Sequence, residues 1–394
     1  MPKLLLLTSS FPRWESDFAG GFVLEFAQAI SDDYDEIQVL TPASQNSLEK
    51  ESWGKIKITR FNYFWPYRFQ LLDSAIDLQP LLEHSIFAQL QLIPFCLAFF
   101  WKAFLLAKQT DVICSHWLLP AGLLGSLISF LLKKTHLIVE HSGALNLLCK
   151  LPIGKFLLNI IGSNASSIVL VSQELQNKLL GLCPELKAKT SVISMGVDCS
   201  FYKPKDYQTN SLKKVLFLGR LAKIKGVDVL IKALANSQNL TLLIAGDGEQ
   251  KKELEQLAKS LNVPAKFLGA IVGKEKLELI QSVDLLVIPS IILQDGRTEG
   301  TPIVCLEAFA CGKAVIASNV GGLAELVVEG KVGFLCQPNN ENQLREKILM
   351  LLSDDTTRNI MAMNARHIAL NYHWPVIAKQ FNLLLKKSLT HKVN

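Results

Sequence analysis

The chain has 394 residues, of which 49% are hydrophobic and 19% charged, and its formal net charge is +6. This length exceeds one ordinary hydrophobic core and indicates two domains of about 200 residues each. The composition excludes a disordered chain, a collagen-like repeat and a coiled coil, and the lack of an arginine-rich run argues against nucleic acid as a partner.

The first half of the chain alternates short apolar runs with helical patterns, which is typical of a parallel sheet with crossover helices. After the first run, a loop leads through Gly20 and Gly21 into a helix with Phe22, Phe26 and Ile30 on one stripe. We therefore expect a doubly wound α/β domain. Its predicted strands cover residues 3–8, 36–40, 55–61, 111–115, 136–140 and 167–171.

The longest uncharged stretch, residues 112–132, is nominally long enough to span a bilayer. It opens as a short strand and contains His116 and Pro120, so a strand followed by a helix fits it better than a spanning helix. At the N-terminus, residues 4–7 are too short an apolar run for a signal peptide. These patterns predict a protein that is made and kept in the cytoplasm.

A turn-rich passage at residues 196–204 marks the boundary between the two halves, and the strand–helix alternation begins again after it. We predict an N-terminal domain of residues 1–198, a C-terminal domain of residues 199–370, and a closing helix within residues 371–394. The predicted strands of the second domain cover residues 214–219, 241–245, 265–268, 284–289, 314–318 and 333–336.

Charge and cysteine content set further expectations. Residues 201–394 contain 25 Lys and Arg against 18 Asp and Glu. This excess favours an anionic small ligand, although lysines scattered over the surface for solubility explain it equally well.

None of the eight cysteines forms a pair with the two-residue spacing of a zinc or redox motif. Reduced thiols and the absence of a metal site are therefore expected.

Several predicted strands of the second domain end in a glycine-containing loop followed by a helix. Such loops create anion sites, because a helix N-terminus presents unpaired N–H groups and the positive end of a dipole. Ligands of these sheets gather at the carboxyl ends of the strands. None of the loops is a G-x-G-x-x-G or Walker A sequence. They contain Gly219-Arg220, Lys225-Gly226 and Gly246-Asp247-Gly248.

Residues 299–312 predict a helix with a defined start. Thr301 is a good N-cap, Pro302 a preferred first helical residue, and Gly312 a C-terminal stop. The free N–H groups of Ile303 and Val304 are then placed to face a diphosphate.

Two carboxylates accompany this helix. Glu307 lies four residues after Ile303 and shares its face, where it could accept hydrogen bonds from a ribose diol. Glu299 precedes the helix on the loop that also contains Gly300. An ordinary capping or ion-paired role for Glu307 remains the alternative at this point.

The sequence Glu-Gly-Thr-Pro-x-x-x-x-Glu-Ala-x-Ala-x-Gly from Glu299 to Gly312 resembles the family 4 retaining glycosyltransferases. The resemblance implies the GT-B fold, with two Rossmann-like doubly wound domains facing each other across a cleft, and a last helix that returns to the first domain. It covers nearly the whole chain, through Gly20-Gly21, residues 116–122, Gly196-Val197-Asp198, Gly219-Arg220-Leu221, Lys225-Gly226, Gly246-Asp247-Gly248, Gly321-Gly322 with Glu325, and Tyr372-His373-Trp374.

The resemblance also implies roles for single residues. Arg220 and Lys225 match the pair that holds the donor diphosphate, Glu307 the ribose ligand, and Glu299 the carboxylate on the donor sugar. His141, after the predicted strand 136–140, matches a histidine near the transferred sugar. The expected catalytic group is therefore His141, Arg220, Lys225 and Glu299, and the expected nucleotide-sugar site consists of Gly20, Gly21, Gly219, Arg220, Lys225, Gly246, Asp247, Gly248, Glu299, Gly300, Thr301, Pro302, Ile303, Val304 and Glu307.

Two further histidines lie near the predicted site, and the sequence departs from the family pattern at two positions. His116 follows a strand and is expected to support the site, whereas His136 begins a strand and is expected to be structural. The family often has an acidic residue in the loop where this chain reads Ser142-Gly143-Ala144-Leu145, so contacts with the acceptor or sugar differ. Ser194-Met195 replaces the usual Pro-Asn before Gly196 and changes only the local backbone.

Residues 61–106 are rich in aromatic side chains, most of them expected in the core. The aromatic cluster at residues 61–69, together with Arg60 and Arg68, resembles an interfacial surface that could meet lipid headgroups. This pattern suggests a lipid-linked or amphiphilic acceptor and a peripheral contact with the inner face of the membrane.

The sequence thus predicts a retaining glycosyltransferase that moves a sugar from a UDP-sugar or GDP-sugar to a glycan or lipid-linked acceptor. No metal or other cofactor is expected. A polysaccharide, glycolipid or cell-envelope glycan is the expected product. Two alternatives stay open: a nucleotide-sugar 2-epimerase, which would interconvert sugars without an acceptor, and a non-catalytic subunit that binds the nucleotide sugar.

Overall fold

The computed structural model describes residues 1–14, 17, 19–72, 81–82, 85–205, 212–294, 296–300 and 302–390. The chain forms two compact units. Unit 1 contains Met1–Val171, Leu175–Ile193 and Ala378–Asn394, and unit 2 contains Ser172–Glu174 and Ser194–Ile377.

Unit 1 is built on an eight-stranded sheet of order β3-β4-β2-β1-β5-β6-β7-β8. All neighbours in it are parallel except β3 and β4, which are antiparallel. The strands are β1 Lys3–Leu7, β2 Glu36–Pro42, β3 Lys50–Trp53, β4 Ile56–Phe61, β5 Val112–His116, β6 Thr135–Glu140, β7 Ser167–Leu170 and β8 Thr190–Val192.

Helices connect these parallel strands. They are α1 Gly21–Ile30, α2 Ile86–Ala107, α3 Leu123–Leu132, α4 Gly143–Lys150, α5 Gly154–Asn164 and α6 Gln173–Leu182, with short helical turns at Ser31–Asp33, Tyr67–Phe69, Leu118–Gly122 and Pro184–Lys189. The central strand explains the sequence pattern, because Leu4, Leu5, Leu6 and Leu7 are all fully buried. A parallel strand covered on both faces requires such a continuous apolar run.

Unit 2 contains a six-stranded parallel sheet of order β11-β10-β9-β12-β13-β14. Its strands are β9 Lys213–Leu218, β10 Leu240–Ala245, β11 Ala265–Gly269, β12 Leu285–Ile288, β13 Val315–Ser318 and β14 Gly333–Cys336. Its helices are α7 Val227–Ala233, α8 Lys251–Ser260, α9 Gly273–Gln281, α10 Ile303–Ala310, α11 Leu323–Leu326, α12 Glu341–Ser353 and α13 Asp355–Asn371, preceded by a turn at Lys223–Lys225. The last helix, α14 Trp374–Thr390, is shared between the two units.

Every predicted strand is present, and β3 and β8 were not predicted. Strand β3 has the sequence Lys-Glu-Ser-Trp and pairs only with β4 at the edge of the sheet, so it carries no apolar run. Strand β8 has three residues at the opposite edge. Edge strands bury little side-chain surface and therefore leave a weak pattern in the sequence.

The division into units falls after Ile193 rather than after residue 198. Val197 explains the difference, because it forms a β-bridge with His373 and its N–H donates to the Tyr372 carbonyl at 2.9 Å. The segment after Ile193 is thereby held to unit 2. Helix α14 begins in unit 2 and belongs to unit 1 from Ala378 onward.

One helix of the described part of the chain, α2, is long and apolar enough to cross a membrane by length and composition. The uncharged stretch of residues 112–132 is instead divided between β5, the turn Leu118–Gly122 and α3. Strand β5 is buried throughout, as its apolar sequence predicts.

Candidate active site

The loops after β9 and β10 lie against each other at the carboxyl end of the unit 2 sheet. Gly219 N–H donates to the Ala245 carbonyl at 3.0 Å, and Leu221 N–H donates to the Asp247 carbonyl at 2.8 Å. A Cβ atom on Gly246, which has φ +145°, would lie 1.8 Å from the Gly219 oxygen. Only glycine permits this approach, so two of the predicted nucleotide-site loops are joined through their backbones.

Lys225 reaches the loop that contains Glu299. Its Nζ lies 2.8 and 2.7 Å from Glu299 Oε1 and Oε2, and Ser290 Oγ donates to Oε2 at 3.2 Å. Gly226, next to the lysine, has φ +62°, and a Cβ there would lie 2.1 Å from the Pro289 oxygen. The turn that carries Lys225 is therefore packed directly against the end of β12, and the structure brings two predicted catalytic residues together.

The backbone of residues 299 and 300 is held by the loop after β13. Gly322 N–H donates to the Gly300 carbonyl at 2.9 Å. Gly321 has φ +53°, and a Cβ on it would lie 1.9 Å from the Glu299 oxygen. This glycine-dependent contact fixes the backbone of Glu299 against the loop after β13.

Helix α10 begins one residue later than the sequence predicts. Pro302 has extended backbone angles of φ −67° and ψ 116° and flanks the helix, whose first residue is Ile303. The prediction that Pro302 is helical is therefore wrong by one position, because ψ lies outside the helical range. The predicted N-cap, Thr301, lies outside the described residues. Gly312, with φ +65°, follows the end of the helix as expected.

Glu307 is almost completely buried, with 2% of its surface exposed. Its Oε1 pairs with Lys276 Nζ at 2.5 Å. Its Oε2 is also buried and has no hydrogen-bond partner among the described residues. The ion-paired role of Glu307, which the sequence left open as the alternative, is therefore present. Its second oxygen, Oε2, is an acceptor that could receive a hydrogen bond from a ribose hydroxyl.

Lys276 was not predicted from the sequence. It lies on α9, 31 residues before its partner, and its Nζ is 5.8 Å from the centre of the Tyr202 ring. Nothing in the spacing of Lys276 and Glu307 marks them as neighbours, so only the packing of α9 beside α10 reveals the pair.

Arg220 and Asp247 lie on the two joined loops and are exposed. Asp247 Oδ1 accepts the N–H of Gly248 at 2.8 Å, and its carboxylate lies 3.6 Å from Lys251 Nζ. Arg220 follows Gly219 at the end of β9. Both positions are compatible with contact to a ligand above the strand ends, which is the predicted role.

In unit 1, His116 and His141 form a pair at the carboxyl ends of the neighbouring strands β5 and β6. His116 Nδ1 and His141 Nε2 are 2.9 Å apart. The rings of Phe22 and Trp117 lie 4.9 and 5.0 Å from the ring of His141. Burial lowers the pKa of His141 to about 3 and lowers the pKa of His116 well below its ordinary value. Both rings are therefore neutral near pH 7, where one donates to the other.

Glu140, the last residue of β6, was not predicted from the sequence. Its buried carboxylate accepts the N–H groups of Leu118 at 2.7 Å, Ser142 at 2.8 Å and Leu145 at 3.2 Å. Burial raises the pKa of Glu140, while these backbone N–H groups act in the opposite direction. The carboxylate connects the loops that follow β5 and β6 and so holds the loops on either side of the histidine pair.

The structure also places the three remaining predicted residues of unit 1, which are Gly20, Gly21 and His136. Gly20 has φ +66°, and a Cβ on it would lie 2.6 Å from the Ser10 carbonyl carbon, so the turn before α1 requires glycine. Gly21 begins α1 and faces open space. His136 is buried and lies 2.8 Å from Ser115 Oγ and 3.3 Å from Ser126 Oγ, which confirms its structural role.

The predicted interfacial surface at residues 61–69 needs a correction. Arg60 is 1% exposed, pairs with Glu51, and donates to the carbonyls of Leu48 and Pro12 at 2.8 Å. It is a buried structural residue, and Phe61 beside it is in the core. Only Trp65, Tyr67, Arg68 and Phe69 of this segment are exposed.

Each unit has a mainly parallel sheet connected by helices, which is the two-domain α/β architecture of the GT-B fold. Residues 202–368 match the family model described as Glycosyl transferases group 1. An uncharacterised glycosyltransferase of Methanocaldococcus jannaschii is 31% identical over 270 residues, which cover 68% of this chain and 73% of that protein. The chain therefore belongs to the group 1 glycosyl transferases.

Other similarities are more limited in extent or identity. The D-inositol 3-phosphate glycosyltransferase of Corynebacterium urealyticum is 31% identical over 218 residues, so the match spans about half of each protein (49% of this chain and 50% of the relative). Among solved structures, the HepE protein of Anabaena in complex with UDP-glucose has a TM-score of 0.73 and 23% identity. That similarity covers 98% of this chain and 100% of HepE, and it shows the shared fold.

Proposed function

We propose that this glycosyltransferase is a retaining enzyme that uses a nucleotide-diphosphate sugar without a metal ion. The observation that carries the proposal is the group formed by Lys225, Glu299 and Glu307 at the strand ends of unit 2. It combines a cation, a carboxylate in contact with it, and a buried carboxylate with one free acceptor oxygen.

Charge explains why such a group suits this reaction. Departure of a nucleotide diphosphate builds negative charge on the leaving group, and preorganised positive groups stabilise it. An ammonium has three donors, and the contacts of Lys225 with Glu299 leave it able to meet a phosphate oxygen as well. Arg220 and the N-terminal N–H groups of Ile303 and Val304 would add to that stabilisation.

The carboxylates would position the rest of the donor. Oε2 of Glu307 would accept a ribose hydroxyl, while Lys276 holds Oε1 in place. Glu299, oriented by Lys225 and Ser290, would contact the sugar. In unit 1, the neutral His141 would accept or donate a hydrogen bond to a sugar hydroxyl without bringing a charge.

The donor and acceptor are proposed by class. HepE was solved with UDP-glucose and the Corynebacterium urealyticum relative is named for D-inositol 3-phosphate, which supports a UDP-sugar donor, with a GDP-sugar as the other candidate, and a hydroxyl acceptor in a glycan or lipid-linked molecule. We place the enzyme in the cytoplasm, in polysaccharide, glycolipid or cell-envelope glycan assembly.

A thermal-shift screen of the purified chain against UDP-, GDP- and ADP-sugars tests donor binding, since a ligand that binds the native state raises the melting temperature. Product analysis by NMR then tests retention of the anomeric configuration, and EDTA tests metal independence. Interconversion of the sugar without an acceptor would indicate an epimerase. Donor binding with neither transfer nor hydrolysis would indicate a non-catalytic binding subunit.

A further inference from the structure

The outer face of α2 carries a continuous apolar stripe. Ile86, Leu90, Ile93, Leu97 and Trp101 follow one another at intervals of three or four residues and so share one face of the helix. Each is between 61% and 76% exposed. Solvent-exposed apolar residues normally occur singly, and a contiguous apolar surface marks an interaction site.

The opposite face of α2 is fixed in the core of unit 1. The rings of Phe95 and Phe99 lie 5.3 and 4.8 Å from the ring of Phe61 on β4. Ala103 and Ala107 are fully buried on the same side. A helix anchored to the sheet in this way cannot leave it to span a bilayer without exposing that core, so its outer stripe can meet a membrane only by lying on it.

Neighbouring helices extend the apolar surface. Helix α3 packs against α2, and α5 packs against α3. Leu127, Phe130 and Leu131 of α3 are exposed, as are Ile153 before α5 and Phe156 within it. We call this set, together with the α2 stripe, the apolar face of unit 1.

The segment that forms the apolar face is rich in exposed lysine. Residues 85–164 contain six lysines and two acidic residues, Asp111 and Glu140. Glu140 is fully buried, whereas five of the lysines are exposed. Apolar side chains combined with exposed lysines are the chemistry that an anionic bilayer surface recognises. The exposed lysines are Lys102, Lys108, Lys133, Lys150 and Lys155.

We propose that the apolar face of unit 1 binds the surface of a bilayer that contains anionic lipids. The apolar side chains enter the boundary between headgroups and acyl chains, and the lysines contact the anionic headgroups. A second copy of the chain fits less well, because a symmetric dimer places the same patch on both sides and would bring lysines against lysines. This inference concerns binding alone and does not depend on the donor or acceptor.

Vesicle flotation of the full chain tests the proposal. Wild-type protein is expected to float with vesicles of 70% phosphatidylcholine and 30% phosphatidylglycerol, and much less with pure phosphatidylcholine. The triple variant Ile93→Ser, Leu97→Ser, Trp101→Ser should bind the anionic vesicles at least about tenfold more weakly, because burial of three large apolar side chains is lost. The matched control Ile360→Ser, Met363→Ser, on α13 of unit 2, changes residues that are 50% and 67% exposed and should bind as wild type.

A charge variant keeps the test decisive if the triple variant fails to fold. Lys102→Glu, Lys133→Glu alters two exposed residues and should weaken binding to anionic vesicles by about tenfold or more, with salt doing the same to the wild type. Equal melting temperatures would show that both variants are folded. The proposal is overturned if wild-type protein does not float with anionic vesicles, if neither variant reduces binding, or if sedimentation shows a dimer that the triple variant abolishes without any vesicle binding.

Discussion

At the scale of single residues, the proposed chemistry depends on Lys225. Its Nζ contacts both oxygens of Glu299, the proposed sugar ligand, and the donor diphosphate is its own proposed partner. Replacing Lys225 or Arg220 by Ala should lower turnover by roughly 10²–10³-fold, as does loss of one electrostatic donor in other enzymes. The control is Lys223→Ala, which removes an exposed lysine from the same turn. Steady-state kinetics showing both variants at wild-type turnover would refute their assignment.

Glu140 makes a second prediction at this scale. The substitution Glu140→Gln keeps one acceptor oxygen but replaces the other by an NH2 group, which cannot accept an N–H. At least one of the buried N–H groups of Leu118, Ser142 and Leu145 then loses its partner, which should lower the free energy of unfolding by about 1–3 kcal/mol. Urea unfolding measures this loss, with Glu185→Gln on an exposed turn as the control. An unchanged midpoint would mean that the carboxylate does not hold these loops.

At the scale of elements, the loops after β9 and β10 depend on glycine. Gly246→Ala would place a Cβ 1.8 Å from the Gly219 oxygen at a φ of +145°, so the two loops must separate. We expect a loss of about 1–3 kcal/mol in stability and weaker binding of the nucleotide sugar. Gly330→Ala is the control, because Gly330 also has a positive φ (+72°) but has open space around it. If the two variants have the same melting temperature and donor affinity, close backbone approach is not what requires glycine at 246.

At the scale of the whole molecule, the apolar pattern of the sequence predicted most of the strands and helices. Contacts between side chains that are distant in sequence were not predictable. Continuous apolar runs such as Leu4 to Leu7 identify strands buried on both faces, whatever lies around them. The pair Lys276–Glu307 and the contact of Glu140 with the N–H of Leu118 join residues that are 31 and 22 positions apart, so no local pattern reveals them. Composition also misassigned the surface. Arg60 is buried among carbonyls, whereas the apolar face of unit 1 lies on α2, α3 and the start of α5, because apolar content alone does not show which side of a helix meets the core.

The pH dependence of stability tests the histidine pair at the same scale. In the unfolded chain His116 and His141 regain ordinary pKa values near 6.5, whereas burial lowers the pKa of His141 to about 3 and that of His116 well below 6.5. Below pH 6.5 the unfolded state therefore binds more protons, and the free energy of unfolding should decrease as the pH is lowered. The expected loss from His141 is about 2 kcal/mol at pH 5, and His116 contributes in the same direction.

Glu140 acts in the opposite sense over part of this range. Its raised pKa makes its own contribution to stability fall as pH rises through and above the ordinary glutamate value. The histidine effect is isolated by comparing urea unfolding of wild type and His141→Gln from pH 7 to pH 5, with His367→Gln on the exposed surface of α13 as the control. Wild type and the control should lose stability in parallel, while His141→Gln should lose less. If the three curves coincide, His141 is protonated in the folded protein as easily as in the unfolded chain, and its proposed role as a neutral hydrogen-bond partner of the sugar would fail.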